Sequence, residues 1–378
     1  MKAKDKKIYD ILQSHVDYNA KTIGDWITAQ RLATKSQQNI YPIKRTLIDI
    51  FDRIQLDPHL TAVLQARTSR VMSESFEIIE AGKVNEAKTE LVNKQWLQEF
   101  LLGTMRSRYY GYTLFEIGDM TLDGELVNLV EIDRRNVIPE NDAVMLTPFD
   151  YINTIPISDG EESDYLYLVR DTSYHFGILN KAVPAIIRKL YAQTAWVEHA
   201  QIAGLPLLFG KIKDPDEKKV AELLESLATL SRNGVGVGSD GDTVDILDRN
   251  GSGHLIYKDL VETENSEITK LVLSQTGTTE ANSSHAQSKT HKTVADELAE
   301  EDKTYCTNAF NAFIPKLIKL GYPLTGCKGR FQPDTSSDPE TVKAALELLK
   351  YFDMEPEEVK RLTGITVETK LTKSKPTE

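Results

Sequence analysis

The chain has 378 residues, a formal charge of -12 and 40% hydrophobic residues, enough length for two or three structural units around a sizeable core. The acidic balance argues against a protein that wraps DNA by neutralising phosphates, which needs a concentrated basic face. Cys306 and Cys327 lie in no CxxC or Cys/His cluster, so neither a disulfide framework nor a zinc site is expected.

No apolar run approaches the roughly 18 residues that span a bilayer. The start, Met1-Lys-Ala-Lys-Asp-Lys-Lys, reads as no secretory leader, and a cytoplasmic origin is expected. Residues 1–45 read as a polar, partly helical arm with Trp26 and Ile27 as docking points. From Ile43 to about Glu80 the text is helical, with a restart at Asp57-Pro58, where the carboxylate caps free amides and the proline misses no hydrogen bond. A further helix is expected over Asn85 to Tyr109.

After Gly111 the period changes. Tyr112 to Ile117, Glu125 to Ile132 and Tyr165 to Val169 are rich in aromatic and β-branched residues, separated by turns such as Asp123-Gly124. A long helix follows from Gly177 to Ala203, marked by Leu179, Val183, Ile186, Leu190 and Val197, with Pro184 as a kink or first turn. A small βαββ unit comes next: a strand from Leu207 to Ile212, a helix capped by Asp214 with Glu217 three residues on, then strands near Val235 and from Thr243 to Leu247.

The stretch 258–320 has an unusual organisation. An acidic helix, Lys258 to Gln275, carries Asp259, Glu262, Glu264 and Glu267. A polar break over Thr276 to Lys292 holds almost no apolar residue and is expected to be loop. A helical period then resumes through Val294, Leu298, Tyr305, Phe310, Phe313 and Leu317. A helical pair opens at Asp338-Pro339 and again at Glu355-Pro356, and the Thr/Lys-rich tail after Ile365 reads as disordered.

Several motifs mimic known chemistry. Asp248, Asn250, Ser252 and Asp259 stand at positions 1, 3, 5 and 12 of a calcium-loop pattern with Gly253 at position 6, but a strand precedes them and Asp259 is short for bidentate ligation, so a glycine-rich turn is favoured. Gly234-Val-Gly-Val-Gly238 lacks the Lys-Ser/Thr of a phosphate loop and precedes two aspartates. His285 and His291 share the polar break without a third ligand, and no HExxH or Gly-x-Ser-x-Gly occurs. Helices 339–352 and 356–363 have too few basic residues for a DNA-reading helix-turn-helix. The residues support no enzyme and call for no cofactor.

Asp57-Pro-His-Leu60 followed by Arg67, Tyr110-Gly111-Tyr112 with Glu116-Ile117, Trp196 with Gly204-Leu-Pro206, and Gln275-Thr-Gly-Thr278 with His291 together resemble the Mu-like bacteriophage portal proteins, over about residues 45–325. His199 and Gln201 depart from the family pattern after the Trp. The resemblance implies a mostly helical α+β portal fold: an arm (1–45), a wing (46–172), two stem helices (173–204 and 258–275) flanking an α/β clip (205–257), a tunnel loop (276–292), a long helix returning to the wing (293–337), a short crown (338–364) and a tail (365–378). It also implies a ring, typically dodecameric in the family, at one capsid vertex of the virion, assembled in the host cytoplasm. Through it double-stranded DNA is packaged and ejected without sequence specificity.

The implied partners are the terminase large subunit, the major capsid and scaffold proteins and a head-tail connector. Thr278, Thr279, Ser284, Lys289 and Lys292 would face the channel, Asp259, Glu262, Glu264 and Glu267 would line the stem, and Asp216, Lys218 and Lys219 would dock a partner at the clip. The competing expectations are another virion part, such as a head-tail adaptor or minor capsid protein, and a metal-dependent nucleic-acid enzyme.

Overall fold

The computed structural model describes residues 24–32, 44–118, 129–147, 150, 152–171, 176–203, 207–211, 218, 221, 225, 243–247, 253–275, 285–332, 347, 356 and 359. Its first long element, after a helical piece at 24–32, is α1 (Arg45–Ile54), which buries Leu47, Ile48, Ile50, Phe51 and Ile54. α2 (Pro58–Met72) begins as its sequence expects: Asp57 is extended, its carboxylate accepts from the Leu60 amide, and Pro58 opens the first turn.

Helix does not continue to Glu80. Residues Phe76–Glu80 form a strand, β1, pairing antiparallel with β2 (Lys83–Val84) on one side and with β11 (Cys327–Phe331) on the other. The apolar run Phe-Glu-Ile-Ile-Glu is too short for periodicity to distinguish helix from strand, and its partner lies far away in the chain.

The expected helix over 85–109 is two helices, α3 (Glu86–Val92) and α4 (Gln95–Tyr110), broken at Asn93-Lys94. Asn85 caps the first through the Lys88 amide. Gly111, left-handed at φ 95°, ends the second and starts β3 (Tyr112–Ile117). This strand lies between β4 (Leu129–Glu131) and β8 (Leu166–Arg170), both antiparallel to it. Three short strands, β5 (Val137–Ile138), β6 (Ala143–Met145) and β7 (Thr154–Pro156), make a separate sheet that the sequence reading lacked.

The main core joins these pieces through aromatic rings. Phe100 lies flat against Phe313 (5.0 Å between centroids, 7° between planes) and stacks on Phe115, while Phe76 meets both Phe310 and Phe331 edge-on. Helix, sheet and the C-terminal strand therefore share one buried centre. Gly103 allows α4 to approach β3 closely, since a Cβ there would lie 2.5 Å from the Phe115 ring.

Two long helices leave this body. α5 spans Gly177–Ala203 as expected, with Pro184 inside it; α6 spans Gly253–Leu273 and so begins five residues before the expected Lys258. Between them β9 (Leu207–Lys211) pairs antiparallel with β10 (Thr243–Leu247), Leu207 opposite Leu247. Residues 218, 221 and 225 are helical, in line with the helix expected there.

α7 runs from His285 to Lys319, roughly 50 Å at 1.5 Å per residue. It starts inside the polar break that was expected to be loop as far as Lys292. Ala286, Gln287 and Lys289 are good helix formers, so the absence of an apolar stripe does not prevent the helix from extending there. The expected strand near Val235, the tail and all of the crown except 347, 356 and 359 lie outside the described residues.

Candidate functional site

The entry to the first long helix is fixed by Gly177. Its φ is 73°, and a Cβ there would come within 2.2 Å of the Tyr109 carbonyl oxygen. Only glycine lets α5 start hard against the end of α4. The lower half of α5 then buries Leu179, Val183 and Ile186 against Ile268 and Val272 of α6.

The pair runs antiparallel: Arg188 meets Glu264, while farther out His199 meets Tyr257, ring centroids 5.8 Å apart. Beyond that lower half the apolar residues lose their cover. Leu190, Tyr191, Val197, Leu255, Ile256 and Leu260 are all exposed, Ile256 at 68%.

The four acidic residues expected to line α6 differ in their surroundings. Asp259, Glu262 and Glu267 are exposed, with Lys258 at 3.6 Å from Glu262 and Lys270 at 3.0 Å from Glu267. Glu264 is buried and faces Arg188, which donates to both carboxylate oxygens at 2.6 and 2.8 Å and is held above its usual pKa by that bond. It joins the two helices and does not line a surface, because a carboxylate gripped by a guanidinium on the neighbouring helix is turned inward.

The calcium-loop pattern is not realised. From Gly253 onward the chain is helical, so positions 6 to 12 cannot wrap an ion, and Asp259 points outward from the second turn of α6. Asp248, Asn250 and Ser252 lie outside the described residues, and no group of metal-binding side chains is found among the described ones.

Thr278, Thr279 and Ser284 are likewise outside the described residues, as are Asp216, Lys219 and Gly234 to Gly238. Lys289 and Lys292 fall on the first turns of α7, and Lys218 is helical and exposed.

The polar contacts that seat α5 and α6 on the body are not legible in the sequence, although the motif Asp57-Pro-His-Leu60 followed by Arg67 supplies them. Lys189 of α5 reaches Asp57 at 2.6 Å, both side chains almost fully buried, so the carboxylate that caps α2 also holds α5. His59 lies two residues on. Its Nε2 donates to the Asn265 carbonyl at 3.0 Å and sits 2.8 Å from Thr269 Oγ1, both on α6.

Farther along α2, Arg67 donates Nε and Nη2 to the two oxygens of Asp302 on α7 (2.7 and 2.8 Å) and Nη1 to the Val272 carbonyl at the end of α6 (2.9 Å). Arg108 of α4 also pairs with Asp302, and with Glu301. α6 stops just beyond, where Ser274 turns left-handed at φ 58°.

A body of mixed helix and sheet, two antiparallel helices leaving it, and a two-stranded unit at their far end together define the fold of a phage portal protein. The chain belongs to the family described as the portal protein of Mu bacteriophage, whose model matches residues 48–365. That family is a structural one and not a family of enzymes.

No curated protein matches the chain. Among solved structures it is similar to a chain in the neck of an empty gene transfer agent (GTA) particle computed with C6 symmetry (11% identity, TM-score 0.52, covering 81% of this chain and 90% of that one). It is also similar to a chain in the virion of a native GTA particle (11% identity, TM-score 0.51, covering 89% and 93%). A third match is to an HK97 family phage portal protein from Corynebacterium diphtheriae (13% identity, TM-score 0.45, covering 77% and 96%).

Proposed function

We propose that copies of this chain close into a ring at one vertex of a phage capsid, of twelve as is typical of the resembling family, and that double-stranded DNA passes through its centre during packaging and ejection. The observation that carries this reading is the uncovered apolar band on the outer stem. A helix pair that leaves Leu190, Val197, Ile256 and Leu260 in water has no partner for them among the described residues, and an identical neighbour supplies one. The neck and virion settings of the similar GTA chains point the same way.

Repeated around an axis, the exposed Asp259, Glu262 and Glu267 would present a negative wall that a polyanion slides past without lasting phosphate contacts. Lys289 and Lys292, near the start of α7, would touch phosphates in passing. The clip unit between β9 and β10, Lys218 included, is the surface we assign to the terminase large subunit, with the major capsid protein, scaffold and head-tail connector as further partners. Packaging energy would come from the terminase, since the portal itself hydrolyses nothing.

Class-averaged electron micrographs of the purified protein test the reading. The expected result is a ring with an opening wide enough for duplex DNA, formed without nucleic acid. Compact single molecules at every salt and protein concentration, or a closed disc, would refute it.

A further inference from the structure

Arg67 is the described side chain that bonds at once to the end of the second stem helix and to the long helix after it. Its guanidinium places three donors on two elements that the chain itself connects only through residues 274–284. The Val272 carbonyl is among the last four of α6 and has no helical partner available, so a guanidinium donor completes that end.

Asp302 is fully buried and also receives Arg108 of α4, so α7 cannot shift at this point without breaking its pairs to both arginines. Leu273 and Gln275 on one flank and Ala295, Leu298 and Ala299 on the other line a small cavity that also touches Arg67 and Asp302. The two flanks are thus gathered around one polar group.

We propose that Arg67 and Asp302 are positioning residues that lock the axial register of the second stem helix against the long helix, so that a displacement of either is passed to the other and to the wing. What that coupling would serve, keeping the channel-side segment at one height while DNA moves, rests on the portal reading; the lock itself does not.

The geometry also explains why a Lys at 67 should fail. An ammonium could reach one oxygen of Asp302 but not hold both oxygens and the Val272 carbonyl in a fixed fork. Charge would be kept and register lost.

Hydrogen exchange read by mass spectrometry tests this on the full-length protein, comparing Arg67→Lys with the parent chain. The expected result is exchange at least tenfold faster in peptides covering 266–275 and 294–303 together, with peptides from 97–105 unchanged. Asp302→Glu, which keeps both charges and moves the carboxylate by one methylene, should give the same paired pattern and serves if Arg67→Lys does not fold. Glu264→Gln, which breaks the Arg188 pair between the stem helices, should leave 294–303 unaffected.

Acceleration confined to one flank, or spread evenly over the chain, would show that Arg67 merely adds stability and would overturn the proposal. Rings that form normally while the flanks stay protected in Arg67→Lys would sink the lock and spare the portal reading. Paired acceleration in a protein that never forms rings would do the reverse.

Discussion

The mixed helix and sheet body and the outer half of the long helix pair, the proposed outer stem, solve opposite problems with the same chain. At the centre of the body the large rings have company: Phe100, Phe310, Phe313, Phe115 and Tyr322 are shielded from water, and the buried charges Arg67, Asp302, Lys189 and Asp57 are paired. On the outer half of the helix pair Leu190, Val197, Ile256 and Leu260 face solvent beside the exposed Asp259 and Glu262. The body has a closed core of its own, whereas the outer helix pair leaves a row of apolar side chains uncovered, a row that the ring proposed above would cover. The boundary falls near Ala192 on α5 and Glu264 on α6, the last buried positions going outward among the described side chains of each helix.

Three substitutions probe that contrast, beginning with the body. Phe100→Ala removes a ring that touches helix, strand and the long helix together, and should cost about 3–5 kcal/mol, read as a lower urea midpoint. A shift of well under 1 kcal/mol would mean that the aromatic centre is loosely packed. Asp57→Ala should cost almost as much, about 3–5 kcal/mol, because it strands the Lys189 ammonium in a buried site and also removes the cap of α2. If Asp57→Asn, which retains a capping oxygen, lost only a small fraction of that, the ion pair would not be the dominant part.

On the stem the sign of the contrast reverses. Val197→Ser combined with Ile256→Ser should leave the unfolding free energy of the monomer within about 0.5 kcal/mol, since both positions are already in water. The same variant should associate much more weakly in sedimentation velocity. Unimpaired assembly would place the subunit contact elsewhere.

How much of this was legible in the sequence follows the same division. Elements held by their own local pattern were readable: α5 begins and ends where its period does, Asp57-Pro58 opens α2, and β3 and β10 run as their β-branched and aromatic content suggests. Elements defined by a distant partner were not. β1 was read as helix because nothing nearby signals that Phe76 will pair with Phe331, and β11 was missed although Cys327, Gly329 and Phe331 alternate inward with Lys328 and Arg330 outward.

The site divides likewise. Asp259, Glu262 and Glu267 could be placed on an exposed face from spacing alone, but Glu264 could not be told from them, since Arg188 lies 76 residues away. Asp57, His59 and Arg67 stood out as parts of a family pattern, and their work of seating two helices is a tertiary fact.

The smallest expected effect lies on the boundary itself, at His59. Burial lowers its pKa most, the Asn265 carbonyl opposes that, Lys189 adds to the lowering and Asp57 again opposes; the net is a value below the usual 6.5. The unfolded chain therefore binds a proton at His59 more readily than the folded one. Stability from this group is fully present above about 6.5, declines as pH falls from there through the folded value, and then levels off, because below both values the two states carry the same proton.

His59→Gln keeps an amide able to donate to the Asn265 carbonyl and removes the titration. The expected outcome is a shallower loss of stability between pH 6.5 and pH 5 in the variant, measured by urea unfolding at each pH. Identical slopes in the two proteins would mean that His59 is not held neutral between wing and stem. Any pH dependence of the joint between the body and the two long helices would then have to come from another group.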